Sequence, residues 1–280
     1  MHSPDTALVF TDSAGYTVSL DSAPTRVAVL FSSFADLWLS AGGEVAMTVG
    51  ESVERGILPD TVTILAEGAG KTPSPEAIIA AAPDLVILSA DLAGHISCAD
   101  VLREVGIPVA LFRTENFDDY LSVLKICTSL TGRPDLYESV GLAQKAEIDR
   151  LIAAKPLAGK KFLFARASSS AVKAKGSGDH FAAAMLTELG AVNIADGNTL
   201  LDGLSDEAIL QANPDYLIFS AMGNEQSARD CVATLLGGDV WRELTAVQNG
   251  NWSFLPKEMF HYKPNGSWAT AYAYLAALIP

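Results

Sequence analysis

"SPEAIIAAAPDLVILSA" occupies residues 74–90, and "SDEAILQANPDYLIFSA" occupies residues 205–221. The two stretches lie 131 residues apart and share ten identities over seventeen ungapped positions. Each opens on a serine suited to cap a helix, with a glutamate in the first turn where the helix dipole favours a negative charge. In the first copy Pro75 takes the favoured first helical position. Each helix must stop near Pro-Asp, because proline cannot donate into the ladder and disfavours α at the residue before it. Each copy then enters a continuous apolar run of strand length, the pattern of a parallel strand covered on both faces. A helix–break–strand unit that recurs predicts an α/β fold built twice, with mainly parallel sheets.

The flanking segments follow the same grammar. "ALVFTDSAGYTVSL" predicts a hairpin, two β-prone runs joined by a turn cluster. "TRVAVLF" (25–31), residues 46–50, 61–65 and "PVALF" (108–112) read as further strands. Helices are predicted from Ser32 or Ser33 to Gly42, over about 97–106 and over about 117–131. In the second half, a strand at 160–166 precedes a helix at 178–190, and a last strand at 251–256 precedes a terminal helix at 266–279. Between the halves, residues 134–155 show helical apolar spacing with no Gly/Ser-rich tether nearby. The reading is two Rossmann-like lobes joined by one long rigid helix: an N-terminal lobe over 1–132, a backbone helix over 133–156 and a C-terminal lobe over 157–280.

Composition narrows the function. A chain of 280 residues buries about 75% of its unfolded surface, and 49% hydrophobic against 19% charged residues argues against disorder. A formal charge of −14 repels nucleic acid and anionic membranes. The three cysteines, Cys98, Cys127 and Cys231, form no CxxC pair and suit no zinc site. No apolar run reaches the length of a membrane span. "MHSPDTALVF" lacks the basic and apolar regions of a signal peptide.

No catalytic motif emerges. "GAGKT" (68–72) fails as a phosphate loop: the required leading glycine position holds Leu65, so a turn-rich loop is expected. Asp179 and His180 stand where capping of the next helix is expected, and His2 belongs to the terminal end. Two other loops look suited to a ligand. "SADLAGHISC" puts Asp91 and His95 at the carboxyl edge of a sheet, where open α/β sheets bind ligands. "KEMFHYKPNGSW" gathers Glu258, His261, Tyr262 and Trp268, whose carboxylate, imidazole and phenol suit iron or a polar ligand. Phe34 and Trp38 stand at another such edge, and Arg166, ending a strand, can hold an anion bidentately.

These residues lie within a wider resemblance. "FTDSAGYTVSLDSAPTRVAVL", "SPEAIIAAAPDLVILS", "LREVGIPVALF", "LTGRPDLYESV", "GAVNIAD" and "FLPKEMF" occur in order from about Phe10 to the C-terminus. The set resembles the solute-binding proteins that serve ABC importers for iron chelates, heme and cobalamin, the helical-backbone class of periplasmic binding proteins. The resemblance implies two lobes, a ligand cleft between them lined by Phe34, Trp38, Glu67, Asp91, His95, Arg166, Glu258, His261 and Tyr262, and no catalysis. It implies a ferric siderophore as the ligand, with heme or cobalamin as alternatives, and no intrinsic cofactor. It implies Glu76 and Glu207, one per lobe, as the points that dock onto arginines of a permease dimer. It also implies a monomer outside the cytoplasm, periplasmic or lipid-anchored, whose leader is absent from this sequence. Two other readings are open: a bilobal metal-cluster enzyme of the nitrogenase-component type, which needs cysteines converging between lobes, and a receptor for free Mn or Zn, for which His95, Glu258 and His261 are the best ligands available.

Overall fold

The computed structural model describes residues 7–196 and 205–279, and His2 lies outside them. The chain divides into two compact units, Met1–Ala143 and Gln144–Pro280.

The N-terminal unit opens with an antiparallel hairpin, β1 (Leu8–Thr11) and β2 (Thr17–Leu20). Asp12 closes its turn: Oδ1 accepts from the backbone N–H of Ala14 and Tyr16, while Oδ2 accepts from Leu111 N–H and fastens the hairpin to the sheet. The rest alternates strand and helix: β3 (Val27–Val29), α1 (Ser32–Ser40), β4 (Met47–Val49), α2 (Gly50–Glu54), β5 (Thr63–Ala66), α3 (Pro75–Ala81), β6 (Leu85–Ser89), α4 (Ala93–Glu104), β7 (Val109–Phe112) and α5 (Phe117–Leu130). The five strands after the hairpin form one parallel sheet in the order β5-β4-β3-β6-β7. Every residue of β3, β6 and β7 is buried, as expected of strands covered on both faces.

A helical stretch crosses the division between the units. It comprises α6 (Pro134–Leu136), a π-helical segment Tyr137–Leu142 and α7 (Ala143–Ala154). The regular helix expected over 134–155 is thus widened in its first half. Gly141 sits at the π segment, where an added Cβ would lie 3.0 Å from the side chains of Leu121 and Leu124. A side chain at that position would collide with α5.

The C-terminal unit repeats the alternation: β8 (Lys161–Ala167), β9 (Val172–Ala174), α8 (Phe181–Glu188), β10 (Val192–Asn193), α9 (Asp206–Ala212), β11 (Tyr216–Ala221), α10 (Glu225–Leu236), α11 (Thr245–Gln248), β12 (Trp252–Phe254), α12 (Lys257–Phe260) and α13 (Trp268–Leu278). The parallel order is β10-β8-β11-β12, and β9 folds back antiparallel onto the end of β8. Neither β9 nor α10 is expected from the sequence pattern.

The two repeated stretches take the same local structure. Ser74 Oγ accepts from Ala77 N–H at 3.2 Å, and Ser205 Oγ accepts from Ala208 N–H at 3.4 Å. Both helices end in a left-handed residue, Ala82 (φ 50°) and Asn213 (φ 37°), directly before the proline. The aspartate after each proline clamps the start of the neighbouring strand. Asp84 accepts from the N–H of Thr25 and Arg26 ahead of β3, and Asp215 accepts from Lys161 N–H at the head of β8. The Pro-Asp pair therefore does two jobs: proline stops the helix and aspartate sets the register of the next strand.

Candidate functional site

In an open α/β sheet, ligands gather at the carboxyl ends of the strands where the strand order reverses. In the N-terminal unit that reversal falls between β3 and β6; in the C-terminal unit it falls between β8 and β11. The two edges are chemically different.

At the N-terminal edge the polar groups are paired with one another. Ser32 Oγ donates to Glu51 Oε2, and Arg55 donates to Ser32 Oγ at 2.8 Å. Asp91 accepts from Arg113 Nε at 2.5 Å in an exposed ion pair. His95 corrects the sequence reading. Its helix begins at Ala93, not near residue 97, and this carries the imidazole into the interior, fully buried. Gly94 permits the early start, because a Cβ there would lie 2.5 Å from Lys71 O. His95 Nδ1 accepts from Ser89 N–H at 2.9 Å, so the proton resides on Nε2, which donates to Gly70 O at 2.8 Å. Burial lowers its pKa and holds it neutral, against the opposing hydrogen bond to Gly70. With both nitrogens engaged by the main chain, His95 pins the "GAGKT" turn. Phe34 and Trp38 are likewise core: Phe34 packs edge-on to Phe112, and Trp38 Nε1 donates to Glu44 O. Glu67 is exposed in the loop after β5. The unit also has two cavities, of about 240 Å³ beside β1 and about 260 Å³ beside β2, and neither touches a residue expected at the ligand site.

The C-terminal edge is cationic and incompletely paired. Arg166, in β8, and Ser220, in β11, are register partners and therefore project from the same face at the reversal point. Arg166 Nε and Ser220 Oγ are both buried with no hydrogen-bond partner among the described residues. Burial lowers the Arg166 pKa, with no compensating carboxylate among the causes. His180, the N-cap of α8, accepts from Ala182 N–H through Nδ1 at 3.2 Å and packs between the rings of Phe164 (4.6 Å) and Phe181 (4.9 Å). Its pKa is pushed down to about 3, first by burial and then by the charges of Arg166, Lys263, Lys175 and His261. The positive charges of Arg166, Lys175 and Lys263 thus all oppose protonation of this imidazole. Lys263 Nζ also sits 4.7 Å from the Phe181 ring centroid. His261 meets Tyr262 edge-on at 4.8 Å, and Glu258 is exposed in α12.

Arg166 and His261, both expected at the site, and Lys175 and Lys263, which the sequence pattern does not single out, all place positive charge near His180, which caps α8 as expected. Lys175 and His180 lie in "KAKGSGDHF" (173–181), beside β9, which folds back on β8, whereas Lys263 lies in "KEMFHYKPNGSW" (257–268), after β12.

Glu76 and Glu207 are exposed in the first turns of α3 and α9, and among the described residues neither is in an ion pair. Glu76 accepts from Ser74 Oγ at 2.8 Å; its pKa is lowered by a backbone hydrogen bond and by that serine.

Other chemistries find little support in the side chains present. Burial pushes the Cys98 thiol up to about 11 and Cys127 well above its ordinary range, so both behave as inert core residues. Among the described residues no group of three or more His, Cys, Asp or Glu is arranged to hold a metal ion. No described helix is long and apolar enough to cross a membrane.

Comparison with known proteins agrees with this architecture. No curated protein matches the chain in sequence. Solved structures do match in fold. A periplasmic solute-binding protein from Veillonella parvula is 20% identical, with a TM-score of 0.74, 98% of this chain covered and 86% of that one. The periplasmic catecholate-siderophore binding protein VctP from Vibrio cholerae is 15% identical, with a TM-score of 0.74 and coverage of 98% and 99%. The periplasmic heme-binding protein RhuT from Roseiflexus is 18% identical, with a TM-score of 0.71 and coverage of 91% and 97%. At these identities the likeness is one of fold. The family model described as "Periplasmic binding protein" matches residues 27–259, and the chain belongs to that family.

Proposed function

We propose that the protein captures an anionic iron chelate, a ferric siderophore, outside the cytoplasm and delivers it to the permease of an ABC importer. The observation that carries this reading is the cationic edge of the C-terminal unit. In a chain of net charge −14, Arg166, Lys175, Lys263 and His261 each lower the His180 pKa, and Arg166 Nε and Ser220 Oγ are buried without a hydrogen-bond partner among the described residues. A buried Nε–H of a half-buried arginine and a buried hydroxyl left unpaired cost free energy that an incoming oxygen anion recovers. The aromatic rings around the cluster give the apolar part of a chelate its contacts. Glu258, His261 and Tyr262 belong to the same proposed site, and Glu67 and Asp91 are the candidates of the N-terminal unit. Glu76 and Glu207 are proposed as the contacts with the permease dimer. The protein is proposed to act as a monomer, periplasmic or lipid-anchored at the outer face of the membrane.

Titration of tryptophan fluorescence with ferric siderophores of the catecholate, hydroxamate and carboxylate types, with heme and with cobalamin tests the reading. Saturable quenching by an anionic ferric chelate, weakened in Arg166→Ala, is expected. Binding of heme or cobalamin alone would reassign the ligand, and binding of none would reject the chelate reading.

A further inference from the structure

The repeated stretches share one feature that folding leaves unexplained. On α3 the buried position is Ile78 (1% exposed) and on α9 it is Ile209 (0%), and both pack into the core of their unit. The next residues, Ile79 and Leu210, are again 131 positions apart and face solvent, at 39% and 37% exposure. Each stands three residues after its glutamate, so on a helix it lies beside Glu76 or Glu207 on the same face. Of the three positions exposed in both helices, two keep their character between the copies: glutamate at 76 and 207, a large aliphatic at 79 and 210. The third does not, being Ala80 in one and Gln211 in the other. Asp206 is exposed as well, where its counterpart is the half-buried Pro75.

A single exposed aliphatic is ordinary on a protein surface. Val105 and Val192 are more exposed than either, at 55% and 54%, yet have no counterpart 131 residues away: Leu236 is buried and position 61 is Thr61. Ile79 and Leu210 are matched in position and exposure, and each adjoins a carboxylate that forms no ion pair among the described residues. The matched caps and left-handed ends give the two pairs the same local geometry. In the second copy the adjacent Asp206 is engaged, accepting from Trp241 Nε1 at 3.1 Å.

We infer that Ile79 and Leu210 act with Glu76 and Glu207 as two matched mixed contacts, each an aliphatic side chain beside a carboxylate. The fitting partner is a membrane protein that presents two cationic side chains, each next to an apolar one. The inference rests on the docking role proposed for the glutamates and adds that charge steers the encounter while the aliphatics supply dry area that resists dissociation. It also explains why Ile79 and Leu210 stay aliphatic at positions where Lys, Glu or Gln would serve the helix equally well.

The test uses the fluorescently labelled full chain and right-side-out membrane vesicles from the organism that makes it, with liposomes of the extracted lipids alongside. Ile79→Gln with Leu210→Gln is expected to weaken vesicle binding by about tenfold per site, with ligand quenching and Tm unchanged and the salt dependence retained. Glu76→Arg with Glu207→Arg is expected to abolish both binding and its salt dependence. Val105→Gln with Val192→Thr is expected to bind like the parent. If the glutamate pair matters and the aliphatic pair does not, this inference falls and the docking reading stands. If the glutamate pair has no effect, both fall. If the aliphatic pair alters binding to protein-free liposomes equally, the surface meets lipid and the inference is wrong.

Discussion

The carboxyl edges of the two sheets start from similar residue types and end in opposite states. Beside β6, His95 has both nitrogens on the main chain and Asp91 is paired with Arg113. Beside β8, Arg166 is register partner to a serine, and its Nε is buried without a hydrogen-bond partner among the described residues. The first edge is finished as a structure; the second keeps binding capacity in reserve. A histidine near a strand end is thus a weak pointer to a ligand, whereas a buried donor with no partner is a stronger one, because burial without a partner is costly unless something is bound.

The sharpest way to break the comparison is His95→Ala. It strands Ser89 N–H and Gly70 C=O in the interior, and a loss of about 4 kcal/mol is expected in urea unfolding, with ligand affinity unchanged once folded. A matching loss of affinity would make His95 a ligand residue after all. The pH dependence comes next. His180 ionises near 6.5 when unfolded and near 3 when folded, so the unfolded state binds more protons throughout that window. Its contribution is complete above pH 6.5 and is lost as the pH falls, by roughly 3 kcal/mol at pH 4. His180→Asn keeps a cap acceptor and should flatten that acid limb of Tm against pH. Arg166→Ala should weaken ligand binding by about 100-fold with little change in Tm, since it removes a half-buried cation whose Nε–H has no partner among the described residues. The smallest effect is expected at the finished edge: Asp91→Asn opens an exposed ion pair and should shift stability by less than about 1 kcal/mol and affinity by less than about twofold. An Asp91 effect as large as that of Arg166 would erase the distinction between the edges.

Much of the fold was legible because its signals are local. Ser74 and Ser205 as caps, Pro83 and Pro214 as stops, and the apolar runs of β6 and β11 can all be read from neighbours in the chain. The misses have local causes too. Gly94 reads as a loop marker, yet here it lets α4 start early by giving room to Lys71 O, and this moved His95 from a loop to the core. At Tyr137–Leu142 the apolar spacing suits a helix but does not tell an α turn from a π turn. The candidate site is legible in part: Arg166 and His261 follow from residue type and edge position and His180 as a helix cap, Lys175 depends on β9 doubling back on β8, and Lys263 lies in the loop after α12.

By itself, the sequence determined the alternation of helices and strands, the duplicated unit and the exposed glutamate in each copy. Those follow from steric limits on a few adjacent residues and from burial periodicity. The tertiary structure alone decided which polar groups are satisfied. Asp84 finds Thr25 and Arg26 from 58 and 59 positions away, Asp12 finds Leu111 from 99 away, and His95 finds Gly70 from 25 away. Arg166 meets Ser220 only because β8 and β11 are neighbours in the sheet. Hydrogen-bond partners are set by which distant segments are brought together, and an unpaired donor becomes visible only when every neighbour is in place.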